Sequence, residues 1–339
     1  MQNRYAGAPS PHLRNDASTR RIMSDVCIAL LPAALAAMWF FGLRAGALMA
    51  VAVASAVIAE WLYNRLARKP NTTGDWSAVV TGMLLAFNLP AYAPWWLAMA
   101  GSVIAIVLIK QFFGGLGQNF MNPALAARVI LVVSWGSLMT HWAMPDGGNW
   151  LAGWGGEAVD ALSSATVDAH SGATPLTAMR TGSAHYGLWD LFIGNVPGIL
   201  GETSTLALLI GAGYLLLRGV ISWRIPVCFI GVFFALTLVR TGALYSPEPG
   251  VDSALYQLLS GSLILGAFFM ATDYSSVPVT PLGQMVYGAG CGILLFLFRS
   301  YHATMTEGCA FAILLMNVAS PLIERVTLPR AFGEVKRNA

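Results

Sequence analysis

Ten apolar runs of 14 to 20 residues leave little else from which to build a fold: about 24–42, 45–64, 77–90, 95–112, 123–137, 203–217, 225–240, 256–271, 282–298 and 305–323. A helix that crosses the ~30 Å hydrocarbon layer needs about 20 predominantly apolar residues. Lipid admits only helices or closed barrels, because every backbone N–H and C=O must be satisfied within the protein. Barrel strands would alternate polar and apolar positions, and these runs do not. The chain therefore reads as an all-α polytopic membrane protein with about ten transmembrane helices. Composition closes the soluble alternative, since 56% of the 339 residues are hydrophobic and 10% are charged, against about 25% charged in soluble domains.

Orientation follows from the basic residues, which accumulate on the cytoplasmic side. With the N-terminus inside, 14 of the 19 Lys and Arg residues fall inside, and Arg44, Arg180, Arg240 and Arg299 fall outside. Arg128 lies within a span. Both termini are thus expected in the cytoplasm, and the loop after the fifth span is expected outside, which is the periplasm of a bacterial cell. That loop carries Asp146, Glu157, Asp160, Asp168, Asp190 and Glu202 against Arg180 alone. The divisions expected are a cytoplasmic tail over 1–21, a first membrane repeat over 22–137, an external loop over 138–202, a second repeat over 203–325 and a cytoplasmic tail over 326–339. The first 21 residues have no apolar core and do not read as a cleaved signal peptide.

The net charge is +3, carried by scattered residues, so no basic stripe exists for a nucleic-acid backbone and none is expected as a partner. Cys27, Cys228, Cys291 and Cys309 lie in or beside apolar runs without metal-ligand spacing, and read as small hydrophobic residues. No metal site is expected.

An internal repeat is visible at an offset of 184 residues, which places Gly82 on Gly266, Asn88 on Thr272 and Pro94 on Pro278. Both segments, TGMLLAFNLPAYAP and LGAFFMATDYSSVP, are short apolar runs ending in polar breaks. Two repeats of five spans would have opposite orientations, and interrupted helices at matching positions of inverted halves point to a midplane site. Pro90, Pro94, Pro278 and Pro281 merely kinking packed helices is the plainer alternative. Asp25 and Glu60 lie near span ends with Arg21 and Arg65 close by, where snorkelling to the interface accounts for them as well as function does. Arg128, Asp273 and Glu307 are placed deeper, where charge usually faces a cavity or a partner, so they are candidate cofactor contacts.

The external loop contains Asp168-Ala169-His170-Ser171-Gly172-Ala173-Thr174, of the form D-x-x-[S/T]-G-A-T. Average residue usage yields such a pattern about once in a thousand chains of this length. It resembles the recognition sequence of periplasmic flavin transferases, which join FMN through its phosphate to the final Thr hydroxyl. The resemblance makes Thr174 the covalent FMN site, with Asp168, Ser171, Gly172 and Ala173 as its recognition residues. A Thr hydroxyl is a poor nucleophile alone, so the base and metal that activate it would come from the transferase. The loop is expected to be exposed so that another enzyme can reach it. A Ser/Gly turn capping the next segment is the structural alternative.

With GGLGQNFMNPALAARVIL (114–131) and ATDYSSVPVTPLGQ (271–284), residues 20 to 325 resemble the RnfD family, the D-type subunits of the Rnf electron-transport complex. That family is similar to the B-type subunits of the sodium-translocating NADH:quinone reductase, and both resemble the urea-transporter fold. The resemblance implies a membrane subunit of a translocase that moves electrons between ferredoxin and NAD and is not catalytic alone. It implies partners carrying iron–sulfur and flavin groups, and allows a second, noncovalent riboflavin in the bundle. The quinone-reductase family and a small-solute carrier of the same fold are the competing readings.

Overall fold

The computed structural model describes residues 18–145, 172–181, 186–245, 252–301 and 308–328. Among these residues the secondary structure is helical, with one isolated antiparallel bridge between Pro90 and Ile199. Four helices, Thr19–Leu66, Arg224–Thr241, Pro281–Tyr301 and Cys309–Thr327, are long and apolar enough to cross a membrane. Shorter apolar helices, Ser77–Phe87, Trp95–Gln111, Pro123–Ser134 and Thr205–Leu217, complete the bundle.

The first two expected spans form one helical stretch of 48 residues, which if straight would measure about 70 Å. Gly42, at φ 71° and ψ −171°, breaks it. A Cβ placed on Gly46 would lie 3.0 Å from Met38 Sδ, although residues eight apart in a straight helix are separated by about 12 Å. The chain therefore doubles back at Gly42, where only glycine adopts the positive φ without strain.

Outward faces match a lipid surround. Ile28, Leu31, Leu35 and Trp39 recur at helical spacing and are each about half exposed, as are Leu315, Val318 and Leu322. A polar solvent would penalise such stripes, whereas lipid matches them. Small residues at some helix crossings let backbones approach within an interior that also buries Phe87, Phe229 and Tyr287. A Cβ on Gly211 would lie 2.0 Å from the Ala29 carbonyl oxygen. Gly211→Ala is expected to force the two helices apart and cost about 1–3 kcal/mol, read as a lower unfolding temperature of the detergent-solubilised protein.

The expected span at 256–271 is not continuous. It divides into helix Ala254–Leu259 and a second piece, helix Leu263–Leu265 running into a π-helix over Gly266–Met270. Gly261 takes φ 69° at the division. Ser260 Oγ donates to the Tyr256 carbonyl at 2.6 Å, and Arg299 donates to the Gln257 and Ser260 carbonyls at 2.6 and 3.0 Å. Arg299, one of the four basic residues counted outside, is buried and holds the end of that helix.

Candidate functional site

Thr174 begins the helix Pro175–Thr181. Its Oγ1 accepts from the Thr177 amide at 3.4 Å and lies 3.0 Å from the Thr177 hydroxyl, while its carbonyl accepts from Ala178 N at 2.7 Å. Thr followed by Pro is a helix-start signal, with the hydroxyl as cap and the missing proline N–H at a position that needs none. Thr174 is 3% exposed. The exposure expected of this hydroxyl is thus corrected: it is turned inward because it serves the end of its own helix.

Around Thr174 the loop is fastened to the bundle. Gly172 N donates to the Trp142 carbonyl at 3.0 Å, Tyr186 OH to the Ala173 carbonyl at 3.3 Å and Tyr256 OH to the Pro175 carbonyl at 3.2 Å. Burial pushes the Tyr186 phenol above its ordinary range, so it stays protonated and able to donate. Gly172 is closely packed, since a Cβ there would sit 2.4 Å from the flexible Met144 Sδ and 3.0 Å from Pro197 Cγ. Asp168, Ser171 and Glu307 lie outside the described residues.

A second polar region lies between the two interrupted helices. Asn88 ends helix Ser77–Phe87 by donating to the Leu84 carbonyl at 2.6 Å, and Thr272 closes the Gly266–Met270 turn by donating to the Phe268 carbonyl at 2.7 Å. Arg128, 4% exposed, donates from Nη1 to Asn88 Oδ1 at 2.8 Å. Asn122 caps the Arg128 helix through Ala124 N at 3.0 Å and reaches across to the Met270 carbonyl at 3.2 Å. Asp273 accepts from the Ser275 and Ser276 hydroxyls at 3.1 and 3.3 Å. Arg128 therefore joins the first break, whereas Asp273 stands in the second.

Asp273 lines a small cavity of about 80 Å³ whose wall also includes Lys110, Asn119, Asn122, Phe269 and Ser275. Its surface combines apolar side chains with a few convergent polar groups, the lining chemistry of a ligand site, at a volume well below that of most small-molecule pockets.

Two acidic residues explained from the sequence by snorkelling are buried and paired. Glu60 is fully buried and receives Lys110 Nζ at 3.0 Å, Gln111 Nε2 at 3.1 Å and Thr72 Oγ1 at 2.6 Å. Asp25 receives Tyr214 OH at 2.8 Å and Arg218 at 3.3 Å, not Arg21. Lys110 gives no such signal in the sequence, because it stands near a span end. The π-helix Ile104–Gln111 is what presents Lys110 and Gln111 to Glu60, and π turns of this kind gather at functional positions.

The NQR2, RnfD, RnfE family matches residues 7–333 of the chain. The chain belongs to this family. Among the family's relatives, it is 48% identical over 96% of its length to the D subunit of the Na(+)-translocating ferredoxin:NAD(+) oxidoreductase complex of Acetobacterium woodii, covering 95% of that protein. It is 41% identical over 95% of its length to the D subunit of the ion-translocating oxidoreductase complex of Stutzerimonas stutzeri, covering 93% of it. The D subunit of the proton-translocating ferredoxin:NAD(+) oxidoreductase complex of Clostridium ljungdahlii is 36% identical over 98% of the chain and 97% of its own length. These relatives are named for translocating different ions.

Proposed function

We propose that the chain is the D-type membrane subunit of an ion-translocating ferredoxin:NAD oxidoreductase complex, with FMN joined to Thr174 as an electron relay. The observation that carries this reading is end-to-end similarity to proteins named as the D subunits of such complexes, in a chain that keeps the whole D-x-x-[S/T]-G-A-T pattern. The basic-residue distribution supports cytoplasmic termini, and an odd number of crossings then puts residues 138–202 in the periplasm. Iron–sulfur and flavin subunits would handle the soluble substrates, and a flavin transferase would mature this one.

The chemistry of Thr174 fits an attached flavin, since it offers a hydroxyl, and Gly172 lets Met144 and Pro197 pack close beside it. Access requires the loop to lift, which breaks the contacts to Trp142, Tyr186 and Tyr256. At about 0.5–1.5 kcal/mol each, these bonds oppose opening by only a few kcal/mol, so the open form is a minor but reachable state. Bound FMN would supply one-electron chemistry, with Thr174 holding its phosphate. The cavity beside Asp273, at about 80 Å³, is smaller than the roughly 300–1,000 Å³ typical of small-molecule sites, so a noncovalent riboflavin there would need its walls at Phe268 and Phe269 to part.

The inverted repeat gains support from matched details. Asn88 and Thr272, aligned at an offset of 184, each close an interrupted helix through the carbonyl four residues back. Gly82 and Gly266 both stand at close approaches, 2.8 Å from Val53 Cα and 2.4 Å from Cys309 Sγ for an added Cβ. Ser18 and Ser204 cap the first helix of each half through the amide three residues on.

The mass of the purified chain tests the central assignment. An addition equal to one FMN less water, located on the peptide containing Thr174, is expected. An unmodified peptide from a fully assembled complex would remove the FMN assignment.

A further inference from the structure

Lys110 makes a connection that a purely structural ion pair would not need. Its ammonium is 2% exposed and approaches both Glu60 oxygens, at 3.1 and 3.0 Å, and also Ser77 Oγ at 2.6 Å. The Ser77 hydroxyl in turn donates to Asp75 Oδ1 at 2.5 Å. Asp75 is half-buried, in the exposed turn that follows Arg65, Arg68 and Lys69. Ser77 and Lys110 both line the cavity that Asp273 faces. Trp76, between Asp75 and Ser77, holds a left-handed backbone at φ 67°, a strained conformation that persists where surrounding structure demands it. A continuous hydrogen-bonded line therefore runs from a solvent-accessible carboxylate, through one hydroxyl, to a buried ammonium at the cavity wall.

We propose that Asp75, Ser77 and Lys110 form a proton route from the face bearing Arg65, Arg68 and Lys69 into the cavity. Lys110 gives one proton to a base in the cavity and becomes a neutral amine. Ser77 passes its hydroxyl proton to that amine, and Asp75, protonated from water, restores the Ser77 proton. One proton has then moved from solvent to cavity, and all three side chains are as they began. Rotation about Cε–Nζ presents a Lys110 N–H to either side. The charged groups around the ammonium are Glu60, which holds it in place, and Asp75 through Ser77; Asp273, on the wall of the same cavity, is the carboxylate proposed to receive the proton. The route stands whether or not the cavity holds a flavin.

The test uses the complete complex in lipid nanodiscs, with a caged proton released by a flash and carboxyl protonation followed by time-resolved infrared spectroscopy. The cavity signal is the band missing from Asp273→Asn. Ser77→Ala removes the relaying hydroxyl and is expected to slow the rise of that band by at least about tenfold, a modest share of what positioned proton transfer contributes. Ser77→Thr is expected to restore it. An unchanged rate in Ser77→Ala, or no Asp273 band in the unmodified complex, would overturn the proposal. The paired variant Glu60→Gln with Lys110→Met removes both charges together and is expected to slow the band as well. Unfolding temperatures recorded on the same samples separate a blocked route from a damaged fold, because a merely structural Ser77 would lower stability without a selective delay at Asp273.

Discussion

Thr174→Val is expected to leave a folded, assembled chain whose denatured, gel-separated band carries no flavin fluorescence. Valine keeps the branched shape but has no oxygen through which a phosphoester can form. The change also removes the oxygen that accepts from Thr177 N, and loss of a helix cap costs about 0.5–2 kcal/mol. That is too little to unfold a bundle held mainly by buried helix contacts. Thr174→Ser restores both oxygen and cap, and is expected to recover the cap while testing how strictly the transferase requires the methyl group. Fluorescence that persists in the valine variant would sink the Thr174 assignment without touching the family membership.

Lys110→Met is expected to be the most damaging single change to the fold. It strands the Glu60 carboxylate, whose side chain is 1% exposed, and breaking a buried pair from one side typically costs about 3–5 kcal/mol. Thr72 and Gln111 still donate to Glu60, which places the loss toward the lower end. Combining it with Glu60→Gln removes the orphaned charge, and most of the stability should return, since neutral replacements of buried pairs are often tolerated. Denaturation in detergent, followed by tryptophan fluorescence, measures both. A single variant as stable as the unmodified protein would show that the pair contributes little to holding the helices together.

The features legible in the amino-acid sequence are those set by local pattern. Apolar runs mark the membrane helices, because burial in lipid leaves a signature in every residue of the segment. The breaks after Phe87 and Met270 are visible in Asn88, Pro90, Thr272 and Asp273. Partnerships across the bundle are not. Glu60 and Lys110 are 50 positions apart, and only the π-helical turn brings the lysine round to its carboxylate. Near a span end, each reads alone as a snorkelling charge. Counting Arg299 by side likewise does not reveal that its guanidinium is folded inward onto the Gln257 and Ser260 carbonyls. Thr174 stands out by its motif, while its inward turn follows from the neighbouring Pro175, a signal present in the sequence but outweighed by the expected need for access.

The bridge between Pro90 and Ile199 has a consequence for how the chain is made. Where helix Ser77–Phe87 stops, the Phe87 and Leu89 carbonyls are taken by Gly201 N at 3.0 Å and Leu200 N at 3.1 Å. Those donors are supplied more than a hundred residues later in synthesis. A nascent chain halted before residue 199 would hold two unpaired carbonyls at a helix break inside a bundle, where each costs several kcal/mol. The break after Phe87 and the segment at 199–201 are therefore one folding unit. That break is expected to stay unfinished until the ribosome has passed residue 201, so that the order of synthesis limits when this part of the membrane bundle can close.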